Sequence, residues 1–184
     1  MTSGEVVAEA AAGPRLTPSA TVPDWSRETK AFWSWDPSRS LLASIRAYDQ
    51  LVGSTGSLDV LLRRVAVMRH RFWSIVTGAE IPLGCRIGGG LLMPHPNGIV
   101  IHSDASVGPN CLIFQQVTLG GGPQGAPQIG GHVDIGAGAK ILGRVVVGDH
   151  ALIGANAVVL GDVPSGTTAV GVPSRVVSIK SRDA

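Results

Sequence analysis

From Ile81 onward, aliphatic residues recur at every sixth position. Ile101, Val107, Ile113 and Leu119 form one run, and Ile129, Ile135, Ile141, Val147, Ile153 and Val159 form a second. Glycine follows many of them, as at Gly108, Gly120, Gly130, Gly136, Gly148 and Gly154. This period matches neither the roughly 3.6 of a helix nor the roughly 2 of a strand. It suits a coil of three short flat faces, each sending one aliphatic side chain to a shared axis. The expected fold is mostly β, a parallel β-helix of hexapeptide repeats whose core grows by stacking coils.

Composition agrees. The chain has 184 residues, enough for one domain plus an arm, with 25 glycines and only 4% aromatics. Corners need a permissive backbone, and a narrow prism admits medium aliphatics better than rings. A net charge of +2 without a basic run argues against nucleic acid. Cys85 and Cys111 fall inside hexads without metal-ligand spacing and read as small buried hydrophobes rather than a disulfide. No apolar run reaches the roughly 18 residues of a membrane span, and no signal peptide is evident. A cytoplasmic protein is expected.

Three segments are expected. Residues 1–23 read as a disordered tail. Residues 24–78 read as an arm with Trp25, Trp33 and Trp35, then helices over Ser38–Tyr48 and Leu58–Val76. The tryptophans are expected to dock on a helix or a neighbouring subunit. In the second helix Leu58, Leu61, Leu62, Val65, Met68, Phe72, Ile75 and Val76 recur at helical spacing. Residues 79–184 form the coil, and those after Ser165 are expected to lie across its last turn or a neighbouring chain.

The repeat is broken twice. Ile87 to Ile101 is two residues over register, with Met93-Pro94-His95-Pro96-Asn97-Gly98 between. Leu119 to Ile129 is four over, with Gly120-Gly121-Gly122-Pro123-Gln124-Gly125-Ala126-Pro127 between. Regular coils make shape, and inserted loops carry chemistry. His95, stiffened by two prolines, is the candidate general base, since an imidazole near neutral pKa can take a proton from an alcohol. Glu80 is its candidate carboxylate partner or a solvated edge residue, with Asp104 weaker. His102 reads as a corner residue, His132 and His150 as outward surface residues, and His70 as packing. Gly120 opens a flexible loop beside a ligand; without a following Lys-Ser/Thr it is no P-loop. Gly138 and Ala139 would let a thin ligand lie flat. Lys140 and Arg175 are candidate phosphate partners or ordinary surface cations. No metal cluster is expected.

Several stretches carry a resemblance: Thr77-Gly78-Ala79-Glu80-Ile81, His95-Pro96-Asn97-Gly98-Ile99-Val100-Ile101, Ile113-Phe114-Gln115-Gln116-Val117-Thr118-Leu119-Gly120, residues 135–143 and residues 168–175. Over residues 38–178 the chain resembles the serine O-acetyltransferases, left-handed β-helix acyltransferases that use acetyl-CoA. The resemblance implies a homotrimer with active sites between subunits, His95 as general base and Glu80 as its acidic partner. It also implies a CoA groove at Gly138, Ala139, Ala155, Thr168 and Arg175, and oxyanion stabilisation by backbone N–H groups near the glycine loop. Two departures concern the acceptor: Pro94 where many members have Asp, and Gly125-Ala126-Pro127 where many have an Arg-His pair.

The reading is an acetyl-CoA-dependent O-acetyltransferase with L-serine as acceptor, acting by direct attack and requiring no metal. Another small alcohol or amine, in a specialised or sugar pathway, is the alternative within that class. A non-catalytic scaffold or partner-binding subunit is the alternative outside it. A partner enzyme that uses the product would suit the tryptophan arm.

Overall fold

The computed structural model describes residues 18–31 and 33–177. A short 3-10 turn at Trp25–Glu28 leads to helices α1 (Pro37–Leu51) and α2 (Ser57–Thr77). Asp36 caps α1: its carboxylate accepts from the Arg39 N–H at 3.0 Å, and Pro37 opens the first turn. The coil then supplies β1 (Arg86–Ile87), β2 (Val100–Ile101), β3 (Ser106–Val107), β4 (Leu112–Ile113), β5 (Thr118–Gly120), β6 (Gln128–Ile129) and β7 (Asp134–Ile135). It continues through β8 (Lys140–Leu142), β9 (Val146–Val147), β10 (Leu152–Ile153), β11 (Val158–Val159), β12 (Thr168–Val170) and β13 (Arg175–Val177).

These strands build three faces. One runs β1-β3-β6-β9, the second β4-β7-β10-β12-β13, and the third β2-β5-β8-β11. All pairings are parallel except that of β12 with β13. Regular turns return in register after eighteen residues, pairing Ile101 with Leu119 and Ile129 with Val147. The two inserts lengthen individual turns, so Ile87 meets Val107 and Val107 meets Ile129. Each inward aliphatic therefore lands on the one below, and the ten recurring positions named above are at most 4% exposed.

The interior holds more than the period of six announced. Each regular face buries two side chains rather than one, the second two residues earlier: Ala105 with Val107, Cys111 with Ile113, Val117 with Leu119, Val133 with Ile135, Ala139 with Ile141. Residues i and i−2 of an extended segment share a face. The second column is mostly Ala, Val and Cys, small residues that hide among the outward ones in a sequence.

Two further expectations need correction, and the second helix adds a finding of its own. Residues 1–17 of the expected tail lie outside the described residues, but residues 18–23 dock on the coil. The buried Asn110 side chain donates to the carbonyls of Ser19 and Val22 (2.7 and 2.8 Å) and accepts from the Asp24 N–H at 2.7 Å. Beyond Ser165 the coil first adds one shortened rung, β12, paired with β10 after sixteen residues, and only then does the chain reverse so that β13 lies along it. On α2, the buried or half-buried side carries Ala66, His70, Trp73 and Thr77, and Trp73 packs on the core of the coil. His70 Nε2 lies 2.8 Å from the Ile81 carbonyl oxygen. The broader apolar stripe from Leu58 to Ile75 faces outward, with Met68 64% and Ile75 83% exposed. The helix is amphipathic as expected, but its apolar side is turned away from its own coil.

The arm is fixed by a clamp on the first turn. Arg46 of α1 makes a two-point ion pair with Glu28 (2.9 and 3.1 Å) and donates to the carbonyls of Ile87 and Gly88. Glu28 also accepts from the N–H groups of Gly90 and Leu91. The Arg46 guanidinium lies 5.3 Å from the centre of the Trp25 ring, and Trp35 packs edge-on against Trp73. Trp25 and Trp35 thus find helix partners within the chain.

Both cysteines are free and buried. Burial pushes the Cys111 thiol up to about 11, and burial also raises Cys85. A raised thiol pKa keeps the unreactive protonated form at neutral and mildly alkaline pH. In folded protein at pH 8, iodoacetamide is expected to leave both thiols unmodified, and unfolding in urea should release two labels per chain. Mass spectrometry showing rapid labelling of Cys111 in the native protein would contradict this packing.

Candidate functional site

Parallel stacking sorts the candidate residues onto corners of the prism. The Pro94–Gly98 insert occupies the corner between the second and third faces. Asn97, Gln116, Ala137 and Asn156 rise from it as consecutive rungs: the Gln116 N–H donates to the Asn97 carbonyl, Gly138 to Gln115, and Asn156 to Ala137, all at 2.8–2.9 Å. His95 thus stands at the foot of a ladder whose upper rungs carry Gly138, Lys140 and Ala155. Lys140 leans along this edge, its ammonium donating to the Gln116 carbonyl. Gly138 has φ +73°, and a Cβ there would lie 2.2 Å from Asn156 Oδ1, so this rung favours glycine.

The candidates are not all alike on this edge. Ala139 is fully buried, so its methyl belongs to the core and only its backbone can meet a ligand. Thr168 is 8% exposed beneath β13, opposite Val177, whereas Arg175 is exposed opposite Val170. Gly120 is elsewhere: the glycine loop follows β5 at the corner between the third and first faces. There Gly121 lies flat against the His102 ring, with space for no Cβ (2.7 Å). His102 Nδ1 accepts from the Asp104 N–H at 3.2 Å, a local turn contact in keeping with a corner residue. One chain therefore holds the His95 loop and the glycine loop at opposite ends of one face.

His95 is exposed on the wall of a cleft of about 710 Å3 between the helices and its own loop. The walls include Trp35, Leu42, Val76 and Met93, and two charged groups, Asp36 and Arg39, which pair at 3.2 Å. Glu80 sits on the rung beneath: its N–H donates to the Ile99 carbonyl, and its carbonyl accepts from Ile101. Stacking thus brings its backbone beside Val100. Among the described residues, no hydrogen bond or ion pair joins its carboxylate to His95. Among the described residues, no carboxylate is bonded to the imidazole, and its side chain is exposed.

Sequence reasoning missed three groups. Asp36 and Arg39 carried no signal in the sequence, and only the fold brings them to the cleft that His95 lines. Gln115 has a buried side-chain oxygen with no partner among the described residues, on the rung directly above Asn97. A buried unpaired acceptor is costly, by about 1–3 kcal/mol, and points to a donor that arrives with a ligand. Its sequence signal was only a glutamine within a matching motif. Among the described residues, no group of three or more His, Cys, Asp or Glu is placed to hold a metal. No helix there is long and apolar enough to cross a membrane.

Residues 126–161 match the bacterial transferase hexapeptide family (six repeats). The chain is 49% identical over 107 residues to a serine acetyltransferase of Synechococcus elongatus, covering 56% of this chain and 44% of that one. In sequence and in fold, the chain is similar to serine acetyltransferases. It is 43% identical over 121 residues to the Mycobacterium tuberculosis serine acetyltransferase, covering 64% of this chain and 52% of the relative. A solved serine acetyltransferase in complex with CoA superposes with a TM-score of 0.65 at 35% identity, covering 78% of this chain and 58% of the other. The soybean enzyme complexed with serine gives 0.62 at 37%, covering 77% and 56%. The chain spans about half the length of the curated relatives it matches.

Gly138→Val should destabilise the coil by roughly 1–3 kcal/mol, the scale of forcing a side chain into left-handed backbone, with the clash against Asn156 added. Urea denaturation checks it. An unchanged midpoint would mean that this corner is looser than the stacking implies.

Proposed function

We propose that this chain is an acetyl-CoA-dependent O-acetyltransferase, with the hydroxyl of L-serine as its leading acceptor. One observation carries the reading. The His95 loop lies directly beneath a ladder of small corner residues, beside a cleft that offers both a carboxylate and a guanidinium. The extended CoA thioester lies along the ladder past Gly138, the Ala139 backbone and Ala155. Its polar end meets Lys140, Thr168 and Arg175. Gln115 Oε1 accepts from an amide of that ligand. Asp36 and Arg39 hold the charged ends of an amino-acid acceptor.

In the reaction, His95 takes the proton of the acceptor hydroxyl as its oxygen attacks the thioester carbonyl carbon. The oxyanion is steadied by backbone N–H groups. Collapse breaks the carbon–sulfur bond, and His95 returns the proton to the leaving thiolate. Glu80 fixes the tautomer and stabilises the imidazolium once the site is closed. No metal enters this scheme.

We further propose a homotrimer. The glycine loop of one copy would reach the His95 corner of the next, since no single chain joins those corners. The outward stripe of α2 shares Val76 with the cleft wall, so a neighbour covering that stripe would also close the site. Residues 24–78 would then serve as the assembly arm and 79–184 as the acyltransferase unit. A second acceptor class has its own support: the cleft is roomy and partly apolar, and Pro94 and Gly125-Ala126-Pro127 supply no charges. These features favour a bulkier alcohol or amine.

His95→Ala should lower kcat by about 10²-fold or more while CoA binding, measured by calorimetry, persists. Near-normal turnover would remove His95 from the mechanism. Free-thiol release from acetyl-CoA with a panel of alcohols and amines assigns the acceptor. Serine is expected to lead, and serine inactive beside a strong rival would overturn that choice.

A further inference from the structure

The third corner of the prism, between the first and second faces, has no inserted loop and no part in the proposed chemistry. Asn110, His132 and His150 occupy it on successive turns: the His132 N–H donates to the Pro109 carbonyl at 2.7 Å, and that of His150 to Gly131 at 3.0 Å. All three are left-handed, with φ of 59°, 52° and 58°. Asparagine tolerates this conformation readily, and imidazole side chains take it less often. His132 and His150 are eighteen residues apart, one full turn, so two side chains with no sequence relation become neighbours.

The two rings meet through like atoms. His132 Nδ1 and His150 Nδ1 are 2.8 Å apart, with ring centroids 5.0 Å apart and planes at 67°. A hydrogen bond at this distance requires one nitrogen to carry a proton and the other to offer a lone pair. The backbone rungs thus hold two potential nitrogen donors together, with a single proton between them. Metal–imidazole bonds of about 2.1 Å place cis ligands about 3.0 Å apart at a right angle and about 3.4 Å apart at a tetrahedral one. The pair needs to open by only a few tenths of an ångström to receive an ion. Beside it, Asp149 holds the corner by accepting from the Gly131 N–H at 2.7 Å, and adds negative charge.

We propose that His132 and His150 form a two-histidine chelate for a borderline divalent transition metal, Zn2+ or Ni2+, with water completing the coordination. The ion replaces the shared proton and ties two successive turns together at the corner opposite the third face. Imidazole selects such ions over the hard cations Mg2+ and Ca2+.

The test uses tag-free full-length protein stripped with chelator and titrated calorimetrically with Zn2+, Ni2+ and Mg2+, with thermal unfolding followed in parallel. One equivalent of Zn2+ or Ni2+ per chain should bind and raise Tm, while Mg2+ does neither. His132→Asn and His150→Asn should each weaken binding at least tenfold and abolish the Tm rise, whereas His102→Asn should retain both. Asparagine already holds this backbone conformation at Asn110 and Asn156, so the variants should fold, and metal-free urea midpoints verify that. Absence of Zn2+ and Ni2+ binding, or binding undiminished in both corner variants, overturns the proposal. The readouts are binding and stability rather than turnover, so either result leaves the assignment of His95 untouched.

Discussion

The rest of the molecule depends on the parallel N–H to carbonyl ladder that returns the chain to the same place on every turn. A helix satisfies its backbone within itself. Here each corner and face borrows its hydrogen bonds from the rung before and lends to the rung after, as from Asn97 through Gln116 to Asn156. Any property of one hexad is therefore projected onto its neighbours above and below. Two inward side chains per face build a continuous core from Ile81 to Ala169. Corner residues, by the same rule, form vertical columns with distinct chemistry, one per edge.

That projection explains why inserts matter so much in this architecture. A loop in a regular solenoid cannot be absorbed by packing; it protrudes at the corner where it arises. The His95 loop and the glycine loop emerge at two different edges, and their separation within one chain is a direct consequence of where the extra residues fall. The clamp of Arg46 on Glu28, Ile87 and Gly88 fastens the helices to the first turn. It thereby places Asp36 and Arg39 in the wall of the cleft that His95 lines. Hydrogen bonds to a charged guanidinium are worth about 1.5–3 kcal/mol each when well formed, enough to fix this relation.

Much of this was legible in the amino-acid order. The period of six in medium aliphatics identified the coil, and its two breaks located both loops. The second inward column was not legible, because Ala105, Cys111 and Ala139 are too small to stand out. The direction of the α2 stripe was not legible either: periodicity says that a helix has an apolar side, not what that side meets. Asp36, Arg39 and Gln115 escaped because their importance arises from contacts between segments distant in sequence. The handedness of the coil came from family resemblance, since spacing is the same for either hand.

β13 is the last strand among the described residues. A stack of identical rungs contains no instruction to end, and its terminal amides would accept another chain as readily as another turn. β13 lies on β12 in the opposite direction, and along this face its reversed polarity replaces the template that a further parallel rung would extend. Trimming the chain ahead of Arg175 would therefore do more than shorten the protein: it would uncover a growing end, and the expected outcome is end-to-end polymerisation rather than a smaller soluble prism.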